Sequence, residues 1–462
     1  MKHRLKYICG LFVVMISTLN SFAENVEIHG SVSQSAVIST SNEYLFSGTK
    51  EGSLQFTEFL LNFNQRVNDD LKVGAQLLSR NFGGHGTFKT ELDWAFGDYR
   101  LLPWLGVKAG RMKMPVGLYN EIRDVDIARE MLLLPQSVYP EGFRDIFSAY
   151  NGLGLYGFLG NQEASFGELG FDFYFGQINS GEMYFVKSFV EQFNANYHTQ
   201  LENYRFGGST LEWWPGFLDT RVAMTINYFL GFVDLKSTDL RVQTPAGPIY
   251  VGEYPQVDEA MRFEGRHYQG GLEFMPTEKI KIASEIKIED TQFEFSDAFV
   301  NQLSQKLNTS PEYRALIMEE LDRRLAASPI PLTRTPLLEN YAMEVATNPD
   351  TLRSAILFNL NDYARYSGWY IMASYLLTDQ LTFYVGYEQS GFSKSVLESL
   401  TETDLNFITR NALAGSSFSI NEYWKIKGEV HRIEGRGASH VESAIQTEDV
   451  GYLYLARTTF AF

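Results

Sequence analysis

Cysteine is almost missing from this 462-residue chain, since the only one, Cys9, lies within the first 23 residues. The chain beyond residue 23 therefore has no disulfide framework, no thiol nucleophile and no cysteine-based metal site. Long apolar runs are missing as well. No stretch beyond residue 23 stays apolar for the eighteen or so residues that a membrane-spanning helix needs, which excludes a helical membrane protein. Basic charge is in short supply, with 39 Lys and Arg against 56 Asp and Glu. Nucleic acid is not expected as a partner, because phosphate binding needs clustered cations. Catalytic signatures are equally scarce: there is no Gly-x-Ser-x-Gly, no His-Glu-x-x-His and no glycine-rich phosphate loop. His267 and His431 read as ordinary polar strand residues, and neither an enzymatic activity, a cofactor nor a metal is expected.

The features that are present begin with a leader. Met1 to Lys6 is basic, Tyr7 to Ile16 is a short apolar core, and Ser21-Phe22-Ala23 has the small-x-small form of a cleavage site. Residues 1–23 are read as a cleaved signal peptide and 24–462 as the exported chain. Losing Lys2, Arg4 and Lys6 moves the formal net charge from −17 to about −20. The other end alternates. Tyr452, Tyr454, Ala456, Thr458, Phe460 and Phe462 share one face of the implied strand, and Leu453, Leu455 and Arg457 share the other. A closing strand with aromatics at both ends of its outer face suits a transmembrane barrel.

Alternating segments of about ten residues recur between those ends, joined by connections that are short and long by turns. Lys279 to Glu289 is the clearest, with isoleucines on one face and charges on the other. Asn68-Asp69-Asp70, Pro276-Thr277-Glu278, Thr378-Asp379 and Asn421-Glu422 carry turn residues. The pattern predicts an all-β, transmembrane antiparallel β-barrel of about sixteen strands. They are placed at 26–39, 54–66, 71–82, 87–100, 104–113, 151–160, 165–178, 203–214, 219–233, 260–275, 279–294, 365–377, 381–391, 404–418, 422–434 and 449–462. Both termini then share one end, and the long connections share the other. A soluble secreted β protein would alternate in the same way, but it would not combine a leader, a terminal Phe462 and this rhythm of connections. Phe59, Leu61 and Phe63, then Leu92, Trp94 and Phe96, then Leu169, Phe171, Phe173 and Phe175 are expected to face lipid. Water-facing parity places Lys72, Arg80, Lys279, Lys281, Lys287, Arg410, Lys425, Lys427 and Arg457 in the lumen, with Glu58, Glu91, Asp93, Glu168 and Asp172. Acidic and basic wall residues cluster on different strands, so a transverse field favouring small polar solutes is expected.

One connection is distinctive for its position. The run Gly110-Arg111-Met112-Lys113-Met114-Pro115-Val116-Gly117, followed by Arg123-Asp124, Arg144-Asp145 and Asn151-Gly152-Leu153-Gly154-Leu155-Tyr156-Gly157, resembles Gram-negative outer-membrane porins, nearest the phosphate-selective porin-like group (O/P-type). The resemblance covers residues 104–160. It implies a homotrimer of water-filled barrels in which the third loop, 114–150, folds inward and constricts the pore. On that reading Glu121, Arg123, Asp124, Asp126, Arg129, Glu130, Arg144 and Asp145 are constriction residues. A loop that alternates charges with Ile, Val and Leu can also pack one side on a wall and offer the other to water. Phosphate specificity is not carried over, because loop 234–259 holds only Lys236 and Arg241 among basic residues and carries Asp234, Asp239, Glu253 and Asp258.

The sixth long connection, 295–364, changes from strand to helix pattern. Ser310-Pro311, Thr335-Pro336 and Asn348-Pro349 each pair a capping residue with proline at a first helical position, predicting three short helices that cover, plug or gate the mouth. The expected function is a porin of the Gram-negative outer membrane passing small hydrophilic solutes passively. The alternative is a barrel-anchored adhesin or receptor whose outer loops bind a partner. Expected partners are outer-membrane lipid and lipopolysaccharide, the barrel-assembly machinery through the strand ending in Phe462, and solutes in transit.

Overall fold

The computed structural model describes residues 26–462 apart from 41, 47, 84–86, 142–143, 162–165, 179–196, 217–218, 238–239, 245–246, 253–256, 327–332, 334, 351–362, 394–407 and 436–449. The signal-peptide reading of 1–23 lies outside the described residues. Among the described residues eighteen strands form: β1 (Val26–Ser39), β2 (Ser53–Arg66), β3 (Leu71–Phe82), β4 (Thr90–Leu102), β5 (Leu105–Lys113), β6 (Ala149–Gly160), β7 (Glu168–Gln177), β8 (Tyr197–Trp214), β9 (Thr220–Ser237), β10 (Leu240–Thr244), β11 (Gly247–Gly252), β12 (Val257–Thr277), β13 (Ile280–Phe295), β14 (Tyr363–Thr378), β15 (Leu381–Ser393), β16 (Ile408–Asn421), β17 (Trp424–Gly435) and β18 (Val450–Ala461). Sixteen close into one antiparallel barrel, each beside its neighbour in sequence, while β10 and β11 pair as a separate hairpin between β9 and β12. Closure is by β1 on β18, from Ser31 opposite Ala461 to Ser39 opposite Leu453. A closed barrel satisfies every strand edge within itself, which is what a bilayer demands of a sheet.

Local chemistry explains the tight connections. The Asn68 side chain accepts from the amides of Asp70 and Leu71, Thr378 from Gln380 and Leu381, and Asn421 from Tyr423. Each is a short polar side chain standing in for a backbone acceptor in a turn.

The two faces of the wall differ in chemistry. Outside, Phe173, Phe175, Met224, Ile226, Val385, Tyr452, Tyr454 and Phe460 stand exposed, Phe175 at 65%. Inside, Gln76, Asp93, Thr225, Glu285, Lys287, Glu388, Lys427, Glu429 and Arg457 are buried. An apolar exterior around a charged interior suits a barrel with lipid outside. The expected lipid-facing run Leu92, Trp94, Phe96 is corrected at its last two positions. A β-bulge interrupts the β3–β4 register, with Gln76 opposite Trp94 and Leu77 opposite Leu92, so Asp93 is the extra residue. A bulge puts its two residues on one face. Leu92 remains outside, whereas Trp94, Phe96 and Asp98 join Asp93 inside.

Among the described residues between β13 and β14 lie three helices, α1 (Asp297–Thr309), α2 (Pro311–Ala326) and α3 (Pro336–Thr347), and the helix expected from Asn348-Pro349 lies mostly outside the described residues. Ser310 and Thr335 cap the last two through their hydroxyls, as their place before proline suggests. The first of the three, capped by Ser296, was not among the expected helices. They pack on one another: Tyr313 donates to the carbonyl of Ala346, and Ser304 to that of Thr347.

Candidate functional site

The centre of the barrel is occupied by the segment from Met114 to Ser148, and its local sequence explains its path. Gly117 sits at φ +62 with its α-carbon hard against Gln269 and Glu285, where any Cβ would collide. Two 3-10 turns come next, Asn120–Ile122 and Asp126–Ala128, and then the apolar stretch Met131 to Leu134. Met131, Leu134, Val138 and Tyr139 pack against Ala223, Ala283, Tyr370, Met372 and Tyr384 of the wall, and Leu132 and Leu133 against Val37, Phe56, Ile433 and Leu453.

Charge fastens the loop in four places. Asp126 accepts from Lys427 at 3.0 Å, Arg457 at 3.0 Å and the Thr459 hydroxyl at 2.7 Å, with Arg129 at 3.6 Å. Four strands round the wall from β18, Asp124 is clasped by Arg144 and Lys113, and the same two cations reach Asp93 on β4. Between these nodes Glu141 accepts from Arg80 at 3.0 Å and Arg123 at 3.4 Å. The fourth fastening is made by three buried wall glutamates on alternate strands. Glu285 of β13 accepts from the amide of Leu118 and the hydroxyls of Tyr139 and Tyr370. Glu388 of β15 accepts from the amide of Ser137, and Glu429 of β17 from those of Leu132 and Leu133 and from Tyr384. Gly368 leaves room for the Ser137 backbone to lie against β14.

These surroundings set the protonation of the loop acids. Burial alone would raise the Asp126 carboxyl, but Lys427, Arg457 and Arg129 outweigh it and hold it far below the usual carboxylate range. Asp124 is likewise lowered, burial being overcome by Arg144 and Lys113. For Glu141, burial is overcome by Arg80, Arg123 and Arg144, which bring it to about 2.

The expected constriction residues divide into two groups. Arg123, Asp126, Arg129 and Arg144 are buried in the anchors, as is the side chain of Asp124, so their charge binds the loop to the wall. Glu121 is exposed to the lumen, and Glu130 is half-buried and paired with Lys281 at 2.9 Å. The Asp145 side chain lies outside the described residues. Of the expected wall residues, Arg80, Asp93, Lys281, Lys425, Lys427 and Arg457 contact the loop or its anchors, Lys425 through the carbonyl of Ile127. Lys72 shares their inward parity near one end of β3, Glu91 pairs with Lys89 on the opposite rim, and Lys279 lies in a turn. Arg410 is a correction. The inward residues of β16 are Asn411, Leu413 and Ser417, so Arg410 lies outside, opposite Gln389 and Glu434 in register. A one-residue misplacement of that strand reverses every face. His267 and His431 are buried and bonded to Glu289 and Gln269, and to Glu429 and Asn411.

The three glutamates were absent from the expected wall set. The parity rule that placed Lys281 and Lys427 inside holds for Glu285 and Glu429 on the same strands, so the signal was there. What no pattern of alternation shows is that each faces a loop amide.

No protein-family model matches the chain, and no curated protein sequence matches it. Among solved structures it is similar to a loop-L8 deletion form of OmpT, an outer membrane protein of Vibrio cholerae, at 8% identity and TM-score 0.50, over 95% of this chain and 99% of that one. An anion-selective porin from Comamonas acidovorans is matched at 8% identity and TM-score 0.48, over 95% and 99%. OmpF of Salmonella typhi, in complex with daunomycin, is matched at 12% and TM-score 0.49, over 95% and 98%. The first of these likenesses bears on the barrel fold.

Proposed function

We propose that this protein is a porin of the Gram-negative outer membrane through which small hydrophilic solutes and ions diffuse passively, with loop 114–148 as its filter. The observation that carries the reading is the pairing of a lipid-type exterior with a lumen whose charged wall grips an internal loop. A soluble barrel has no use for the first. Around that loop Glu121, Glu130, Lys281, Glu212 and Arg221 are open enough to meet a passing solute. The likeness of residues 104–160 to phosphate-selective porins supports the architecture and not phosphate as cargo. Assembly as a homotrimer, insertion through the strand ending in Phe462 and contact with lipopolysaccharide belong to the same proposal.

One observation favours a second reading, a barrel that anchors partner-binding loops. The anchors of loop 114–148 reach the wall at β4 and, on the far side of the lumen, at β13 and β15, so the loop lies across the passage. Single-channel recording of the refolded chain under a salt gradient decides between them. Stable ohmic steps with a reversal potential are expected. A folded barrel that never conducts would sink the porin.

A further inference from the structure

The bulge that turns Trp94 and Phe96 inward starts an arc of aromatic rings along the inner wall, toward the end of the barrel that holds both termini. Tyr156 and Phe158 of β6 and Trp214 of β8 continue it. A Cβ on the inward-facing Gly170 would meet both the Trp214 and Phe158 rings, which fixes those two on the lumen side. Ring centroids are 5.3 Å apart for Trp94 and Phe96, 6.5 Å for Tyr156 and Phe158, and 6.4 Å for Phe158 and Trp214. Phe158 is 46% exposed although it faces the lumen. The aromatic girdles of membrane barrels stabilise the lipid interface from the outside, so they do not account for rings on this face.

Polar groups of both kinds flank the arc. Asp98 accepts from the Tyr156 hydroxyl at 2.7 Å, Asp172 lies opposite Tyr156 in register, and Glu212 pairs with Arg221. Lys108 stands 4.4 Å from the Tyr156 ring centroid and 5.9 Å from that of Phe96, and the Arg221 guanidinium 5.9 Å from that of Trp214. We propose that this arc is a binding track for neutral saccharides in transit, a reading that rests on the porin function and names its solute class.

The chemistry selects that class. Sugar rings offer apolar C–H faces to aromatic side chains and hydroxyls that both donate and accept, matching carboxylates and cations set side by side. An aromatic cation would compete with Lys108 and Arg221, which already lie over rings. An anion would meet Asp98, Asp172 and Glu212. The arc crosses five adjacent strands, about 19 Å at the usual strand spacing, so it is longer than one hexose and should prefer oligosaccharides.

The test is current block of the reconstituted full chain by glucose, maltose and maltotriose, together with tryptophan fluorescence of the folded protein in detergent. Maltotriose is expected to block at lower concentration than glucose. Phe158→Ala and Trp214→Ala should each weaken the block about three- to tenfold, the scale of one aromatic contact, with Trp214→Phe retaining most of it. Heat-modifiable gel migration checks that each variant folds. A conducting channel that maltotriose neither blocks nor quenches overturns the proposal, as does a block unchanged in both alanine variants. Quenching by maltotriose that Phe158→Ala weakens, in a barrel that does not conduct, would uphold the track and sink the porin reading instead.

Discussion

Asp126 shows how a single side chain can hold a loop inside a barrel. It shares Lys427, Arg457 and Thr459 with two wall strands while staying buried itself. Buried ion pairs recover little net stability over apolar packing, but removing one member leaves an uncompensated charge in a low-dielectric site. Asp126→Asn is therefore expected to cost about 3–5 kcal/mol, read as a fall in the temperature of the heat-modifiable gel shift and as added open-channel noise. Arg457 keeps Glu58 at 3.2 Å, so the loss should be smaller than a complete orphaning of both cations. An unchanged transition and unchanged noise would show that the apolar stretch 131–139 holds the loop without this node. Parity in the sequence already placed Lys427 and Arg457 inside, whereas their partner could be recognised as an anchor only once the loop was seen beside them.

Among elements, the helical insertion and the bulge teach different lessons. Pro311 and Pro336, with Ser310 and Thr335 ahead of them, announce two helices by local chemistry alone, because capping and proline geometry depend on immediate neighbours. Helix α1 lacks the proline and so carries a weaker signal, though Ser296-Asp297 is a capping pair of the same kind. These helices pack on each other, on β12 and on the β10–β11 hairpin, while the barrel closes through its own strand pairings, so deleting residues 297–347 and joining the ends with a short glycine-serine linker should leave barrel folding and strand content unchanged. Circular dichroism and heat modifiability would check this, and loss of the folded band would show the insertion to be part of the barrel's own stability. The bulge at Asp93 is the opposite case. Its one extra residue leaves hydrophobic alternation in the sequence intact while exchanging the faces of everything after it on β4.

For the whole molecule, the loop's own anchoring carboxylates are more acidic in the fold than in the unfolded chain. Glu141 is brought to about 2, and Asp124 and Asp126 lie well below their ordinary range. Such groups contribute their full stabilisation above the unfolded-state values near 4 and lose it as pH falls through the folded-state values. As far as these anchors set it, resistance of the loop to added protease should therefore be flat from pH 8 to pH 5. It should fall only below about pH 4, toward pH 2. A transition near neutrality would mean that other groups control the loop.

The sequence by itself determined the class of fold, the number of barrel strands, the side of the wall on which most charges stand and the helical character of the sixth loop. Each of these arises from periodicity or from capping, which are properties of neighbouring residues. Only the tertiary structure decided that Arg123, Asp124, Asp126 and Arg144 are fasteners, that Glu285, Glu388 and Glu429 receive the loop's amides, and that Trp94 and Phe96 look inward. The physical reason is distance along the chain. Asp126 meets Arg457 across 331 residues and Leu132 meets Glu429 across 297, and pairings so remote leave no mark on the local pattern of either partner.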